Sequence, residues 1–192
     1  SLAEAWRSSG GDALLAIHEA TPALRDRIDA AGFESFPIRG LPGALEDAEQ
    51  TATLAAERGA DWIAVDGYHF GSQYQEVLIS SGFRVLFVDD YGHAETYASH
   101  LVLNQNAGID SSLYSVRAPR CRVLLGPRYA LLGPSFVERI GYVRSVTSRA
   151  RRLLVTFGGS DPAGATMLAL EALPHLTCTD VQTTIAVGGS NP

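Results

Sequence analysis

The chain has 192 residues, of which 46% are hydrophobic and 19% charged, and this composition is typical of a folded globular protein. No apolar run approaches the roughly 20 residues that a membrane-spanning helix requires, and no basic-then-apolar leader opens the sequence, so we expect a cytoplasmic protein without a membrane partner. The net charge of −6 argues against a nucleic-acid partner. Cys121 and Cys178 lack metal-ligand spacing, which indicates buried free thiols.

Charge is distributed unevenly along the chain. Residues 1–116 contain six arginines and seventeen acids, whereas residues 117–152 contain nine arginines and a single acid, Glu138, and the chain has no lysine. We interpret the most basic part, residues 144–152, as a solvated connector. Arg128 lies in a more structured context and could face an anionic ligand.

Apolar patterns alternate between the helix and strand periods over the first 126 residues. Helices are predicted over 1–7, from Thr21 and Pro22 onward, over 44–58 and over 72–81, and strands over 13–17, 33–38, 62–66, 84–89, 100–104 and 122–126. This βαβ rhythm indicates an α/β fold with a Rossmann-like parallel sheet covered by helices.

A second strand–helix–strand pattern follows a basic segment. Residues 134–152 lack strand character, and we interpret them as an interdomain helix plus linker. Beyond them lie a predicted strand, helix and strand, over 153–157, 163–173 and 181–187. We therefore divide the chain into a Rossmann-like domain over 1–145 and the start of a second, nucleotide-binding Rossmann-like domain over 146–192. The second is predicted to be truncated, because so few residues do not normally sustain an α/β core.

The first predicted domain opens on a helix, although an α/β sheet normally opens on a strand. We infer that its first strand is missing from residues 1–145. A missing strand leaves an internal sheet edge unpaired, and such an edge invites pairing with a second copy. The sequence therefore predicts a homodimer through an exposed sheet edge.

The run LLVTFGGSDP, residues 153–162, has the order of a phosphate-binding turn. Its apolar residues predict a strand buried on both faces, and Gly158 and Gly159 permit a sharp turn close to a ligand. Asp161 and Pro162 predict the cap and the first position of a helix whose free amides suit a phosphate. Because the run matches neither GxGxxG nor GxxxxGK[ST], an ordinary strand-to-helix corner is the alternative.

Four predicted strand ends are polar, at the edge where parallel sheets bind ligands. They are residues 66–69, 89–93, 104–106 and 158–161. Their acids and histidines could hold a divalent metal, through Asp66, His69, Asp89, Asp90 and His93. We favour the alternative, in which the carboxylates accept hydrogen bonds from loop amides or cap helices, and we predict no metal site and no cofactor.

The five histidines differ in their sequence surroundings. His69 or His93 could act as a general base, because an ordinary histidine titrates near a pH of about 6.5. His18, His100 and His175 have no polar neighbours, and we expect surface or packing roles for them.

The amides of Asn104 and Asn106 follow a predicted strand. Such groups both donate and accept, and they suit sugar hydroxyls or acetamido groups. A turn stabilised by asparagine side chains is the alternative.

Several blocks in order resemble a known family. They are VDGYHF (65–70), VLFVDDYG (85–92), LVLNQN (101–106), Tyr114, LLGPRYALLGPSF (124–136) and LLVTFGGSDPAGAT (153–166). The chain resembles the nucleotide-sugar hydrolases of pseudaminic-acid biosynthesis, which cleave UDP-2,4-diacetamido-2,4,6-trideoxy-β-L-altropyranose, and the spore-coat polysaccharide biosynthesis proteins of similar sequence.

The resemblance implies a GT-B architecture of two Rossmann-like domains and a metal-independent hydrolysis that releases UDP with inversion at the sugar. It also implies that the base is a histidine in a GxGHxxR motif located before Ser1. On that ground we expect this chain by itself to be inactive.

Site residues follow from the resemblance in part. Tyr68 matches a tyrosine that helps to position substrate or water, although Gly67 replaces the family's histidine before it. Asn104 and Asn106 match the LNQN block and are predicted to bind substrate. The glycine turn facing the nucleotide matches Gly158, Gly159 and Ser160.

Two other functions stay open at this point. A GT-B glycosyltransferase of cell-surface polysaccharide biosynthesis would use a similar cleft but transfer the sugar to an acceptor. A non-enzymatic module would use the same strand ends to bind a ligand or partner.

Overall fold

The computed structural model describes residues 2–177 and 180–189, which form two compact units, Ser1–Ile140 and Gly141–Pro192. Both units mix helices with strands, and every pair of strands within a sheet is parallel. The predicted α/β class with parallel sheets is therefore confirmed. Across the described residues, no helix has the length and apolar character needed to cross a bilayer.

The first unit contains five α-helices, two short 3-10 helices and six strands among its described residues. The helices are α1 (Leu2–Ser8), α2 (Pro22–Ala30), α3 (Leu45–Glu57), α4 (Ser72–Ser80) and α5 (Pro134–Val137). The strands are β1 (Leu14–Ile17), β2 (Glu34–Pro37), β3 (Trp62–Asp66), β4 (Arg84–Val88), β5 (Leu101–Asn104) and β6 (Arg122–Leu125). Each predicted strand of this unit is confirmed, and Thr21 caps α2 by accepting a hydrogen bond from the Leu24 amide.

The strands of the first unit form two separate parallel sheets. β1 pairs with β2, and β3, β4, β5 and β6 pair in that order. In the larger sheet Asp66 lies opposite Val88, and Asn104 lies opposite Leu125. All four strands therefore end at one edge, and the residues that follow them are brought together there.

The main core lies between the larger sheet and helices α3 and α4. Small residues at helical spacing, Ala48, Ala52 and Ala55, let α3 approach α4 closely. Val85 and Phe87 of β4 are fully buried beneath them, since alternate residues of a strand point to one face. Cys121 is a buried free thiol as predicted, whereas Cys178 lies outside the described residues.

The segment after β6 has the helix and the irregular stretch predicted for it, and the helix is short. Only α5 is helical within residues 134–151, and the remainder is irregular and exposed. Gly141 adopts a φ of 85°, a left-handed conformation that ends regular helix soon after α5.

The second unit contains β7 (Arg152–Thr156), α6 (Ala165–Ala172) and β8 (Gln182–Ala186), with β7 parallel to β8. The prediction that its first strand is buried on both faces is wrong. Leu154 is 65% exposed and Phe157 45% exposed, because a two-stranded sheet with one helix cannot cover both faces. The predicted helix start is also wrong, since α6 begins after Gly164 and not at Pro162.

Candidate functional site

Residues that follow three neighbouring strands form a hydrogen-bonded cluster at the carboxyl edge of the larger sheet. The Tyr68 hydroxyl, after β3, donates to Asp90 Oδ2 at 2.7 Å. The Asn106 side-chain amide, after β5, donates to Asp90 Oδ1 at 3.0 Å. We call these residues, together with Tyr91, the rim cluster. Three separate sequence blocks thus meet on one carboxylate.

The rim cluster exposes two aromatic rings. Tyr68 and Tyr91 are 62% and 57% exposed, and their ring centroids are 5.4 Å apart. Exposed aromatic faces beside hydrogen-bonding groups suit the flat, partly apolar surfaces of a sugar or a base. The hydrogen bond to Asp90 raises the pKa of Tyr68 above its usual range, so this hydroxyl stays a donor at neutral pH.

Asp89 supports the rim cluster from beneath. Its buried carboxylate accepts hydrogen bonds from the Tyr97 hydroxyl, from the amides of Tyr91 and Gly92 and from the His93 ring. Burial raises the pKa of Asp89, but the four hydrogen bonds outweigh it and lower the pKa below its usual range. Asp89 therefore fixes the loop after β4, which is the capping role favoured from the sequence.

Both ring nitrogens of His93 lie beside protein acceptors. Its Nδ1 lies 3.1 Å from Asp89 Oδ1, and its Nε2 lies 3.1 Å from the Phe70 carbonyl oxygen. A neutral imidazole has one N–H, so its tautomer determines which of the two contacts is a hydrogen bond. These contacts favour a positioning role for His93 over that of a general base.

The two asparagines predicted to bind substrate are placed differently. Asn104 is fully buried, donates to the Tyr114 hydroxyl at 2.8 Å and accepts from the Asn106 amide at 3.0 Å. These contacts are those of the turn-stabilising alternative. Asn106 is exposed and contacts the rim through its side chain. Of the two, only Asn106 can meet a ligand in this conformation.

A cavity of about 500 Å³ lies between the end of β1 and the end of β3. Its polar lining residues are His18, Glu19, Asp66 and His69. Burial, followed by the nearby Asp90 charge, raises the pKa of Asp66. Because the charge of Asp90 in the rim cluster acts on Asp66 in the cavity, the cavity and the rim cluster share one electrostatic environment.

The expectation that His18 is a surface or packing residue is wrong. His18 Nε2 lies 2.8 Å from Asp47 Oδ2, and Asp47 is 1% exposed. This partner lies 29 residues away in the sequence, so no local pattern pairs the two. One signal was available, since His18 directly follows β1 at the edge where parallel sheets bind ligands.

Glycine lets the loop before α3 close the cavity wall. Gly43 has a φ of 80°, and a Cβ built there would lie 2.0 Å from the His69 carbonyl oxygen. Its amide donates to Asp47 Oδ2 at 2.8 Å. Only glycine fits this close approach, which also orients Asp47 toward His18.

The acids and histidines of this edge do not form a metal-binding group. Among the described residues, no three or more His, Cys, Asp and Glu side chains are arranged to hold a metal ion. The carboxylates weighed as ligands instead accept hydrogen bonds, as Asp89 and Asp90 do.

The glycine turn belongs to the second unit and is described by itself. Gly158, Gly159 and Ser160 are exposed after β7, and Gly158 has a φ of 80°. Asp161 accepts hydrogen bonds from the amides of Ala165 and Thr166, at 2.9 and 2.8 Å. Its carboxylate thus caps α6 from three residues before Gly164, and it occupies two amides that a phosphate would otherwise meet.

Comparison with known proteins does not assign a function to this site. A scan against protein-family models finds no matching family, and a search of curated proteins finds no matching protein. The family resemblance of the sequence blocks therefore stays a prediction.

Proposed function

We propose that the chain is part of a nucleotide-sugar hydrolase of GT-B type that cleaves a UDP-sugar with water. The observation that carries the proposal is the rim cluster. Tyr68, Asp90 and Asn106 come from three of the blocks on which the family resemblance rests, and they share one hydrogen-bond network. Independent sequence segments that converge on one sheet edge are expected of a ligand site in a parallel α/β fold.

The chemistry of the rim cluster suits a sugar with acetamido groups. Tyr68 and Tyr91 offer ring faces, while Asp90 and Asn106 supply an acceptor and a donor for hydroxyl and amide groups. Arg128 is exposed in the turn that follows β6, at the same edge of the sheet. We propose that the Arg128 guanidinium binds the diphosphate of the substrate.

The second unit has a glycine turn of its own, to which we assign a nucleotide phosphate. Its parallel strands and its turn at Gly158, Gly159 and Ser160 support a second Rossmann-like domain. Since Asp161 already caps α6, a phosphate would bind the glycine amides and not the amides of the first helical turn.

The proposal is tested by incubating the full-length gene product that contains this chain with the UDP-diacetamido sugar and following free UDP and the anomeric configuration of the sugar by NMR. Release of UDP with inversion and without an acceptor supports hydrolysis. Strict dependence on an acceptor indicates the glycosyltransferase instead. Binding of UDP-sugar in calorimetry without any turnover favours the binding module.

Two variants of Tyr68 separate the roles of its hydroxyl and its ring. Tyr68→Phe removes the Asp90 hydrogen bond and should weaken UDP-sugar binding about fivefold, the value of one modest hydrogen bond. Tyr68→Ala also removes the stacking face and should weaken binding further. Neither change should lower thermal stability, because the side chain is largely exposed. Equal affinity in both variants and the unaltered chain would remove Tyr68 from the site.

A homodimer through a sheet edge is part of the proposal. In the described residues no strand pairs with the second edge of β3, and its backbone amides and carbonyls are available to another strand. Light scattering should give twice the mass of the chain at micromolar concentration. Replacing the central edge residue, Ala64→Pro, should return the mass to that of a monomer, because proline cannot donate to a ladder. A monomer before the change would contradict the proposal.

A further inference from the structure

The residue between Asn104 and Asn106 makes a contact that the proposed function does not use. Gln105 directly follows β5, and its side-chain oxygen, Oε1, accepts a hydrogen bond from the Leu131 amide at 2.8 Å. The two residues are 26 positions apart in the sequence. A backbone amide can only donate, so the Gln105 carboxamide must present its oxygen to it. Gln105 therefore connects the end of β5 to the segment after β6.

The segment after β6 contains Arg128, to which the proposed function assigns the diphosphate. It forms a short 3-10 turn, Pro127–Tyr129, in which the Ala130 amide donates to the Pro127 carbonyl at 3.1 Å. Arg128 is exposed, and Tyr129 is 38% exposed. Because packing covers little of this turn, its position depends on the hydrogen bonds that attach it to the sheet.

Consecutive residues of the chain hold both ends of this turn. At its start, the Gly126 amide donates to the Asn104 carbonyl at 2.8 Å. This bond continues the pairing of β5 with β6 and joins backbone atoms, which any residue at position 104 supplies. At its end, the Leu131 amide donates to Gln105 Oε1. The second bond depends on a side chain, so the identity of Gln105 determines whether the turn is fixed at both ends.

The next residue of the same strand end holds the rim cluster. Asn106 donates to the carbonyl and to the carboxylate of Asp90, at 3.3 and 3.0 Å. In the sheet, β5 lies between β4 and β6. Two adjacent residues, Gln105 and Asn106, thus fix the loop after β4 on one side and the turn that contains Arg128 on the other. The backbone between them sets the separation of the two ligand-facing segments.

We infer that Gln105 is a positioning residue that holds Arg128 in place for the diphosphate of the UDP-sugar, an inference that rests on the proposed function. A guanidinium binds phosphate oxygens through a planar fork of N–H groups, so its affinity depends on where the backbone holds it. A turn fixed at both ends also loses less conformational freedom when a ligand binds. Loss of the Leu131 hydrogen bond should therefore weaken diphosphate binding through Arg128.

UDP binding in calorimetry tests this role in the full-length gene product that contains the chain. Arg128→Ala should weaken UDP binding at least about tenfold, because it removes charged hydrogen bonds to the diphosphate. Gln105→Met keeps an unbranched side chain without the acceptor and should weaken binding about three- to fivefold. The double variant should bind UDP within about twofold of Arg128→Ala alone, because Gln105 acts through Arg128.

The salt dependence of UDP binding separates positioning from a merely structural role. Attraction between an exposed guanidinium and a diphosphate weakens as the ionic strength rises. Arg128→Ala should flatten this dependence, and Gln105→Met should flatten it in part. A Gln105 side chain that only stabilised the fold would leave the slope of the salt dependence unchanged.

Gln50 provides a matched control on another part of the first unit. Its Oε1 accepts from the Arg39 amide at 3.1 Å, which is the same kind of bond between a glutamine and a loop amide. Gln50→Met should leave both the affinity for UDP and its salt dependence as they are in the unaltered protein.

Hydrogen exchange of the Leu131 amide gives a readout that needs no ligand. The amide should exchange slowly in the unaltered protein and in Arg128→Ala, since both keep the Gln105 acceptor. It should exchange faster in Gln105→Met. Fast exchange of this amide in the unaltered protein overturns the inference.

The outcomes distinguish this role from the proposed function. If the unaltered protein does not bind UDP, the proposed function fails and the role of Gln105 fails with it. If it binds UDP but the losses of Gln105→Met and Arg128→Ala add in the double variant, only the role of Gln105 is overturned. The same holds if either single variant binds UDP as the unaltered protein does.

Discussion

Asp47 in the first unit and Asp161 in the second both lie near the amino end of a helix, yet their carboxylates have different partners. Among the residues that the structure describes, Asp161 accepts from two amides of α6 and from no residue distant in the sequence. Asp47 accepts from one nearby amide and from three side chains, of which Tyr74 and His18 come from other elements. The Asp161 carboxylate therefore completes a helix. The Asp47 carboxylate connects α3 to α4 and to the residue after β1, which lines a cavity.

The difference shows what makes an acidic residue at a helix start functional. In the described residues, the hydrogen bonds that Asp161 accepts come from amides within five residues of the chain. Asp47 lies inside the first turn of α3, so its side chain projects from the helix toward β1 and α4. A carboxylate with distant partners can orient a reactive group, whereas one with local partners stabilises only its own helix.

The largest effect is expected from Asp47→Asn. An asparagine cannot accept from all four donors and places an amide group against some of them, so unfolding should become easier by about 3 kcal/mol. Urea denaturation followed by circular dichroism measures this change. Glu49→Gln, which neutralises an exposed carboxylate on the same helix, should change stability by less than about 0.5 kcal/mol. Equal losses of stability in the two variants would show that the Asp47 carboxylate contributes no more than an exposed one.

The next effect concerns Gly43, which donates to Asp47. Gly43→Ala should lower stability by more than about 2 kcal/mol, because the new methyl group would overlap the His69 carbonyl at 2.0 Å and the backbone is left-handed. Gly59→Ala is the matched control, with a φ of 64° and no atom within 4 Å of the added Cβ. Gly59→Ala should lower the free energy of unfolding by about 1 kcal/mol, which is the cost of a left-handed backbone conformation alone. Urea denaturation of both variants separates overlap from backbone strain, and similar costs would contradict the close approach.

The smallest effect is expected from Asp161→Asn. Hydrogen bonds from Thr166 and Ala165 lower the pKa of Asp161 in the folded chain. Its stabilising effect is therefore complete above the ordinary carboxyl pKa of 3.8 and is lost as the pH falls through the lower folded value. The variant should melt a few degrees below the unaltered chain at pH 6 and together with it near pH 2, in calorimetric scans. A difference that persists at the lower pH would mean that the charge is not responsible.

Most secondary structure could be predicted from periodicity, and the failures have physical causes. The strand WIAVD and the helix that begins at Ser72 lie where their apolar spacing places them. The helix after Asp161 begins later than predicted because Asp161 has a φ of 40°, a turn conformation that moves the start to Ala165. Residue propensity identifies Asp161 as a capping residue, but it does not predict how many residues separate the cap from the helix start.

The candidate site could be predicted only in part, for a reason visible in its hydrogen bonds. Tyr68, Asp90 and Asn106 follow strands of one parallel sheet, so strand order alone brings them to one edge. Asn104 has the same sequence position relative to its strand, but packing against Tyr114 buries it. Alternation along a strand indicates which residues share a face and not whether a neighbour covers them.

The sequence by itself determined the α/β class, the order of strands and helices, and the edge at which polar residues gather, because these depend on local periodicity and on strand direction. Tertiary structure alone decided that His18 meets Asp47 across 29 residues and that Asn104 is buried. Hydrogen bonds between distant elements depend on how helices pack on a sheet. That packing is a property of side-chain shape in three dimensions, which no single segment encodes.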